Sequence, residues 1–124
     1  MKPGKTGLTR LIHAFGYSMD GFKTGWQREA AIRQELMALI VLIPFGLWLP
    51  VAVGVKLGLL GATLAVLVVE LLNSAIEAVV DLASPERHDL AKLAKDLGSA
   101  AVLVALIVCL SVWAYALWLA FGSH

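Results

Sequence analysis

Glu70, Asn73 and Glu77 interrupt the end of a long apolar segment at positions i, i+3 and i+7. On a helix that spacing puts all three on one face. Ionisable groups inside a spanning segment are costly, so they are functional candidates by default. Glu70 follows an unbroken apolar run and is the deepest of the three. A carboxylate at that depth is a candidate general base near neutral pH. Glu77 lies about two turns further along, nearer a polar surface. The alternative is a polar contact between helices that holds an oligomer together, and spacing alone leaves both readings open.

A second group stands further along the chain. Lys95 and Asp96 precede the last apolar run, with Ser99 one turn on. Glu29 follows an N-terminal stretch, and Arg33 lies one turn after it, close enough to pair on a helix. If the chain crosses a membrane, these groups and Glu77 gather at the same surface. Carboxylates beside cationic groups suit a magnesium nucleotide, since magnesium is commonly held by one or two carboxylates plus substrate phosphates. The competing reading is a solvated loop whose charges only anchor the helices. There is no G-x-x-x-x-G-K-[ST] loop, protein-kinase signature set, G-x-S-x-G or H-E-x-x-H. His13, His88 and His124 lack metal-ligand spacing, and the single Cys109 has no disulfide partner. An enzyme built here uses none of the familiar soluble sites.

The elements that position these groups follow from composition. The chain has 124 residues, of which 60% are hydrophobic. A soluble domain of this size cannot bury so much apolar surface, whereas a bilayer can take it up. The net charge of +1 points to no nucleic-acid partner. The basic start, Met1 to Arg10, is followed by no continuous apolar run, so the N-terminus is expected to be retained rather than cleaved. Leu8, Leu11, Ile12, Phe15, Met19, Phe22 and Trp26 recur at spacings of three and four, which predicts an amphipathic helix over 8–28 lying on the membrane surface. Gly7, Gly16, Gly21 and Gly25 weaken that helix in isolation, so contact must order it.

Three spans are predicted, over 30–49, 52–81 and 97–121, in a single membrane-embedded domain covering 1–124. Pro44 should kink the first span or end its regular bonding. Trp48 is an interfacial anchor, and Lys56 can snorkel to the interface. Ser84 and Pro85 read as the N-cap and first residue of a new helix. Trp113, Tyr115 and Trp118 form an aromatic belt near the far end of the third span. Basic residues cluster before the first span and between the second and third, with only Lys56 in the short turn. The positive-inside rule then puts the N-terminus and the long loop in the cytoplasm, and three spans put the C-terminus outside.

Several runs together resemble a known family. Glu70-Leu71-Leu72-Asn73-Ser74-Ala75-Ile76-Glu77-Ala78-Val79-Val80-Asp81 is similar to the signature of the prokaryotic integral-membrane diacylglycerol kinases. Ala94-Lys95-Asp96-Leu97-Gly98-Ser99-Ala100-Ala101 resembles its second block. Glu29-Ala30-Ala31-Ile32-Arg33-Gln34-Glu35 resembles the block before the first span, and Thr6-Gly7-Leu8-Thr9-Arg10 with Gly16-Tyr17-Ser18 resembles the surface helix. The resemblance covers nearly the whole chain. It implies an all-α homotrimeric bundle, each subunit with a surface helix and three spans. It also implies sites shared between subunits and transfer of the ATP γ-phosphate to diacylglycerol with Mg2+.

Carried over by resemblance, Glu70 is the base, Asn73 orients it or a phosphate, and Glu29 and Glu77 hold the metal. Arg10, Tyr17, Lys95 and Asp96 contact the nucleotide, with Glu86, Arg87 and His88 nearer its base and sugar. Arg10, Ala14, Phe15, Gly16, Tyr17, Ser18 and Met19 line the lipid side from the surface helix. Ala31, Ile32, Arg33, Gln34, Glu35, Trp48, Glu70 and Ser99 line it from the spans. The chain departs from the familiar pattern at Met19-Asp20, where an aromatic and a basic residue are usual, and at Leu93, where an arginine is usual. Those departures bear on membrane docking and lipid preference, not on the carboxylates. Undecaprenol kinase on the same scaffold shares the chemistry and differs in the lipid. A non-catalytic channel or assembly subunit is the rival from another class, and a proton-coupled transporter using Glu70 is a further one.

Overall fold

The computed structural model describes residues 7–84, 86 and 88–122. They form four long helices: α1 (Gly7–Arg28), α2 (Ala30–Trp48), α3 (Val53–Ala83) and α4 (Asp89–Leu117). The last helix widens into a short π-helical end, Trp118–Gly122. Three of the helices are long and apolar enough to cross a membrane: α2, α3, and α4 with its π-helical end. Most of their surface stays exposed, so bilayer or neighbouring chains must cover it.

Helix α1 runs through Gly16 and Gly21 without a break, and none of its residues is buried. Its apolar residues Leu8, Leu11, Ile12, Phe15 and Trp26 are all exposed. It meets α2 at an elbow. Glu29 is extended there (φ −115°, ψ 108°), which ends one helix and starts the next. Gly25 packs on the fully buried Ile32; a Cβ at position 25 would come within 3.1 Å of the Ile32 Cγ2. Glu29 and Arg33 do keep one-turn spacing, Glu29 being the N-cap of α2 whose carbonyl accepts from the Arg33 N–H at 3.1 Å, but their side chains form no ion pair. Arg33 Nη1 instead donates to the Trp26 carbonyl at 2.8 Å, binding one of the otherwise unsatisfied carbonyls at the end of α1.

Helix α2 continues through Pro44 to Trp48, so the proline does not end it. The turn into α3 is tied by Lys56, whose Nζ donates to the Leu47 carbonyl at 2.6 Å. That contact suits a cation at a helix C-terminus. Ser84 closes α3 rather than opening α4: its N–H donates to the Val80 carbonyl at 2.8 Å and its Oγ to the Glu86 carbonyl at 2.9 Å. Helix α4 starts later, after His88, whose Nδ1 accepts from the Leu90 N–H at 3.0 Å. The imidazole takes the capping role that the sequence pattern assigned to a serine, and Pro85 itself lies outside the described residues. Helix α4 therefore begins well before the third span expected at 97–121.

The most extensive packing is between α3 and α4. Their core lies toward the α2–α3 turn: Leu49, Leu59, Val66, Cys109, Trp113, Ala116 and Ala120. Phe45 of α2 stacks on Trp113 (5.9 Å, 3° between planes), and Gly46 leaves room for that indole. Trp113 Nε1 donates to Thr63 Oγ1 at 3.0 Å, and Thr63 in turn donates to the Leu59 carbonyl at 2.6 Å. This chain of donors satisfies the polar atoms of a buried threonine and tryptophan, which is what an apolar surround demands. At 31 residues α3 is about 46 Å long, against roughly 30 Å of hydrocarbon. One end of the α3–α4 hairpin must therefore project beyond the apolar layer, and all its charged residues except Lys56 lie toward the α3–α4 loop.

Candidate active site

The polar stripe read from the sequence lies on the last half of α3. Asn73 Nδ2 donates to Glu77 Oε1 at 3.2 Å, one helical turn away. Glu70 lies within electrostatic reach of Glu77, and Glu35 of α2 within reach of Glu70. Three carboxylates, one on α2 and two on α3, thus influence one another electrostatically. Like charges that feel one another favour nearby cations or protons. Lys95 supplies one cation: it interacts with Glu77 and pairs with Asp81 at 2.7 Å, joining α4 to α3. Lys92 pairs with Asp96 along α4 at 2.6 Å.

Beside these pairs the hairpin end forms a cavity of about 400 Å³, lined by Val80, Asp81, Ser84, Glu86, His88, Ala91, Lys92, Lys95 and Asp96. Four of the residues assigned to a nucleotide share it: Glu86, His88, Lys95 and Asp96. Arg87 lies outside the described residues. Lysines facing a cavity give phosphate a partner, and the carboxylates and the imidazole offer acceptors for hydroxyls.

A second cavity, about 480 Å³, opens between α1, the elbow and α3. Ser18, Phe22, Arg28, Glu29 and Ile32 line one side, and Leu71, Ser74, Ala75 and Ala78 of α3 the other. Leu71, Ser74, Ala75 and Ala78 form the stripe next to Glu70, Asn73 and Glu77. Glu29 thus faces a neighbouring stripe of α3 and does not share a cavity with Glu77. Among the described residues, no three His, Cys, Asp or Glu side chains gather closely enough to hold a metal.

The other predicted positions are more dispersed. Arg10, Phe15, Gly16, Tyr17 and Met19 are exposed on α1, and Ala14 is half-buried there. Ala31, Arg33, Gln34 and Glu35 occupy the first turns of α2 around buried Ile32. Ser99 is exposed on α4 beside buried Gly98. Trp48 is not brought to this end at all. It stacks on Phe45 at the opposite end of α2, about 21 Å along the helix from Gln34.

Sequence reasoning missed two participants, Asp81 and Ser74, and the electrostatic coupling of Glu35, a residue it had named, to Glu70. Asp81 falls one turn beyond Glu77 on the same face, a spacing that could have identified it. Ser74 follows Glu70 by one turn and lines the α1 cavity. The approach of Glu35 to Glu70 has no local signal, because the two are separated by an entire span and turn.

Comparison with known proteins converges on one family. Residues 16–117 match the model for prokaryotic diacylglycerol kinase. The chain is 46% identical over 122 residues to the diacylglycerol kinase of Escherichia coli strain K12, an alignment covering 98% of this chain and all of that protein. It is 50% identical over 111 residues to the diacylglycerol kinase of Pseudomonas aeruginosa, covering 90% of each. It is 41% identical over 112 residues to that of Helicobacter pylori strain 26695, covering 90% of this chain and 87% of the relative. With a polar face on α3 and a charged cavity at one end of a membrane-length hairpin, and with near full-length similarity to these enzymes, the chain belongs to the prokaryotic diacylglycerol kinase family.

Proposed function

We propose that this protein transfers the γ-phosphate of ATP to the free hydroxyl of diacylglycerol, giving phosphatidic acid and ADP. The site is placed at the cytoplasmic interface of the bacterial inner membrane and shared between copies in a homotrimer. The observation that carries the reading is the juxtaposition at the projecting end of the hairpin. Glu70, Asn73 and Glu77 stand on one face of α3, next to Lys95 and a cavity with Asp96, Glu86 and His88.

Phosphoryl transfer needs positioning, charge neutralisation and a base more than covalent chemistry from the protein. Glu70 is the base: its carboxylate takes the proton as the lipid oxygen bonds to the γ-phosphorus. The bond from that phosphorus to the β-phosphate bridging oxygen breaks, and ADP leaves with its electron pair. Lys95 and Arg10 face the phosphates, and Tyr17 and Asp96 help fix the nucleotide. Glu86, Arg87 and His88 lie toward its base and sugar. Ser99 and the residues around Ile32, with the 14–19 stretch of α1, guide the lipid headgroup to Glu70. α1 lies along the membrane surface with its exposed apolar residues in the headgroup layer.

The donor set fits Mg2+: Glu77 is a hard oxygen ligand held by Asn73, with Glu70 nearby. Glu77 from one chain and Glu29 from its neighbour would hold the ion together with ATP phosphates. Bound there, Mg2+ neutralises charge on the transferred phosphoryl group. Glu29 lines the α1 cavity and Glu77 does not, which leaves a place for a second copy to complete the site. Exposed Gly61 and Ala65 on α3, with open space at Gly61, give a neighbouring helix room for close approach. The basic N-terminal segment and α3–α4 loop support the cytoplasmic placement of this end, with the C-terminus periplasmic.

The decisive experiment supplies purified protein with Mg-ATP and equal amounts of diacylglycerol and undecaprenol in one bilayer preparation. Phosphate should appear in phosphatidic acid. Transfer to the polyprenol alone overturns the lipid assignment, and transfer to neither overturns the kinase reading in favour of a non-catalytic membrane subunit.

A further inference from the structure

We propose that Gly98 is a positioning residue for the metal-binding carboxylate Glu77, acting through Asn73. The inference rests on the kinase reading above and adds to it a residue of α4 that touches no substrate. Gly98 is buried at the point where α4 crosses the polar face of α3. A Cβ built on it would collide with Asn73 Oδ1 and crowd the Asn73 Cγ at 3.1 Å. The amide therefore occupies the space that any other residue at 98 would fill.

The orientation of that amide is chemically determined. Its Nδ2 faces the Glu77 carboxylate, which accepts only from a donor. Turning the amide over would set oxygen against oxygen, so Oδ1 must point at α4. There Oδ1 is buried and has no conventional hydrogen-bond partner. In glycine a second Cα hydrogen takes the direction of the missing Cβ, and here that hydrogen is aimed at Oδ1. A Cα–H···O contact is weak, but it is the interaction this crossing supplies to an otherwise orphaned oxygen. Gly98 thus does two things at once. It leaves space for the amide, and it lets the amide present its N–H2 to Glu77.

The consequence differs from that of an ordinary packing glycine. With alanine at 98, the atom in the way is the tip of a short side chain and not backbone. The helices can stay in register if Asn73 swings aside, and Glu77 then loses its donor. Partners that orient a metal ligand typically matter by about ten- to a hundred-fold in metal affinity.

The test uses the full-length protein in detergent, checked for the same oligomeric size as wild type. Gly98→Ala should raise the half-saturating Mg2+ concentration for phosphoryl transfer about ten-fold, with a much smaller change in the KM for diacylglycerol. Mn2+ binding, followed by electron paramagnetic resonance with a non-hydrolysable ATP analogue, should weaken in parallel. Asn73→Ala should reproduce the defect, and adding Gly98→Ala to it should cost less than about two-fold more, since contacting residues are not additive. Equal metal affinity in wild type and Gly98→Ala, or full additivity in the double variant, overturns the proposal. If Gly98→Ala does not assemble, the double variant decides: restored assembly supports the clash with Asn73, and continued failure shows that Gly98 serves helix packing alone. A wild type that binds Mn2+ with the analogue but phosphorylates no lipid would instead sink the kinase reading and leave the positioning result standing.

Discussion

The two ends of the α3–α4 hairpin solve the same problem of polar groups in an apolar surround in opposite ways. Toward the α2–α3 turn, Trp113, Thr63 and the Leu59 carbonyl form a closed series of donors and acceptors inside a packed core. Toward the loop, Asn73 keeps a buried oxygen without a conventional partner, three carboxylates repel one another, and the ion pairs are exposed. A satisfied polar network holds helices together and has nothing left to offer a ligand. An incompletely satisfied one is ready to bind ions, nucleotide or a neighbouring chain. The difference assigns stability to one end and chemistry to the other.

That division can be broken by experiment. The largest effect is expected at the open end: Glu70→Gln should lower the turnover rate about a hundred- to ten-thousand-fold, with assembly and thermal stability unchanged. An active Glu70→Gln enzyme would remove the base from Glu70. At the packed end, Trp113→Ala should lower stability by about 3–5 kcal/mol, the usual cost of emptying an aromatic site. Turnover per assembled, folded molecule should persist. Unfolding in mixed micelles alongside lipid phosphorylation would measure both, and loss of turnover without loss of stability would dissolve the distinction.

Thr63→Val keeps the shape of the threonine and removes the acceptor for Trp113 Nε1. Interhelical hydrogen bonds in membranes average about 0.6 kcal/mol, so the unfolding midpoint should move only slightly, and kinetics should not move at all. The smallest structural effect is expected for Asp81→Asn at the exposed pair with Lys95. Exposed pairs contribute little to stability and are screened by salt. The melting temperature should stay the same, while the KM for ATP should shift modestly and become less dependent on ionic strength. A large stability loss would show that the open end also supports the fold.

Helix existence was accessible from local pattern, but helix ends were not. The apolar runs follow from composition and spacing, whereas the elbow at Glu29 appears only in the structure. Ser84 looked like an N-cap because serine before proline commonly is one. The structure gives that role to His88 and leaves Ser84 to close α3, since α3 runs on into the loop before the chain reverses. Pro44 was expected to kink α2 or end its regular bonding, and α2 runs on past it to Trp48.

The candidate site divides along the same line. Positions on one helix are related by a fixed angle per residue, so the sequence alone determined that Glu70, Asn73 and Glu77 share a face. Its apolar content and length likewise determined three membrane-capable helices. What faces those residues was decided only by the packing of distant segments. Tertiary structure puts Glu35 within electrostatic reach of Glu70, joins Lys95 to Asp81 and sets Glu29 against the Leu71, Ser74, Ala75 and Ala78 stripe of α3. It also sets Gly98 against the Asn73 amide. The physical reason is range: helical periodicity is written in neighbouring residues, whereas a crossing point depends on how whole helices fit, and nothing in the local pattern encodes that.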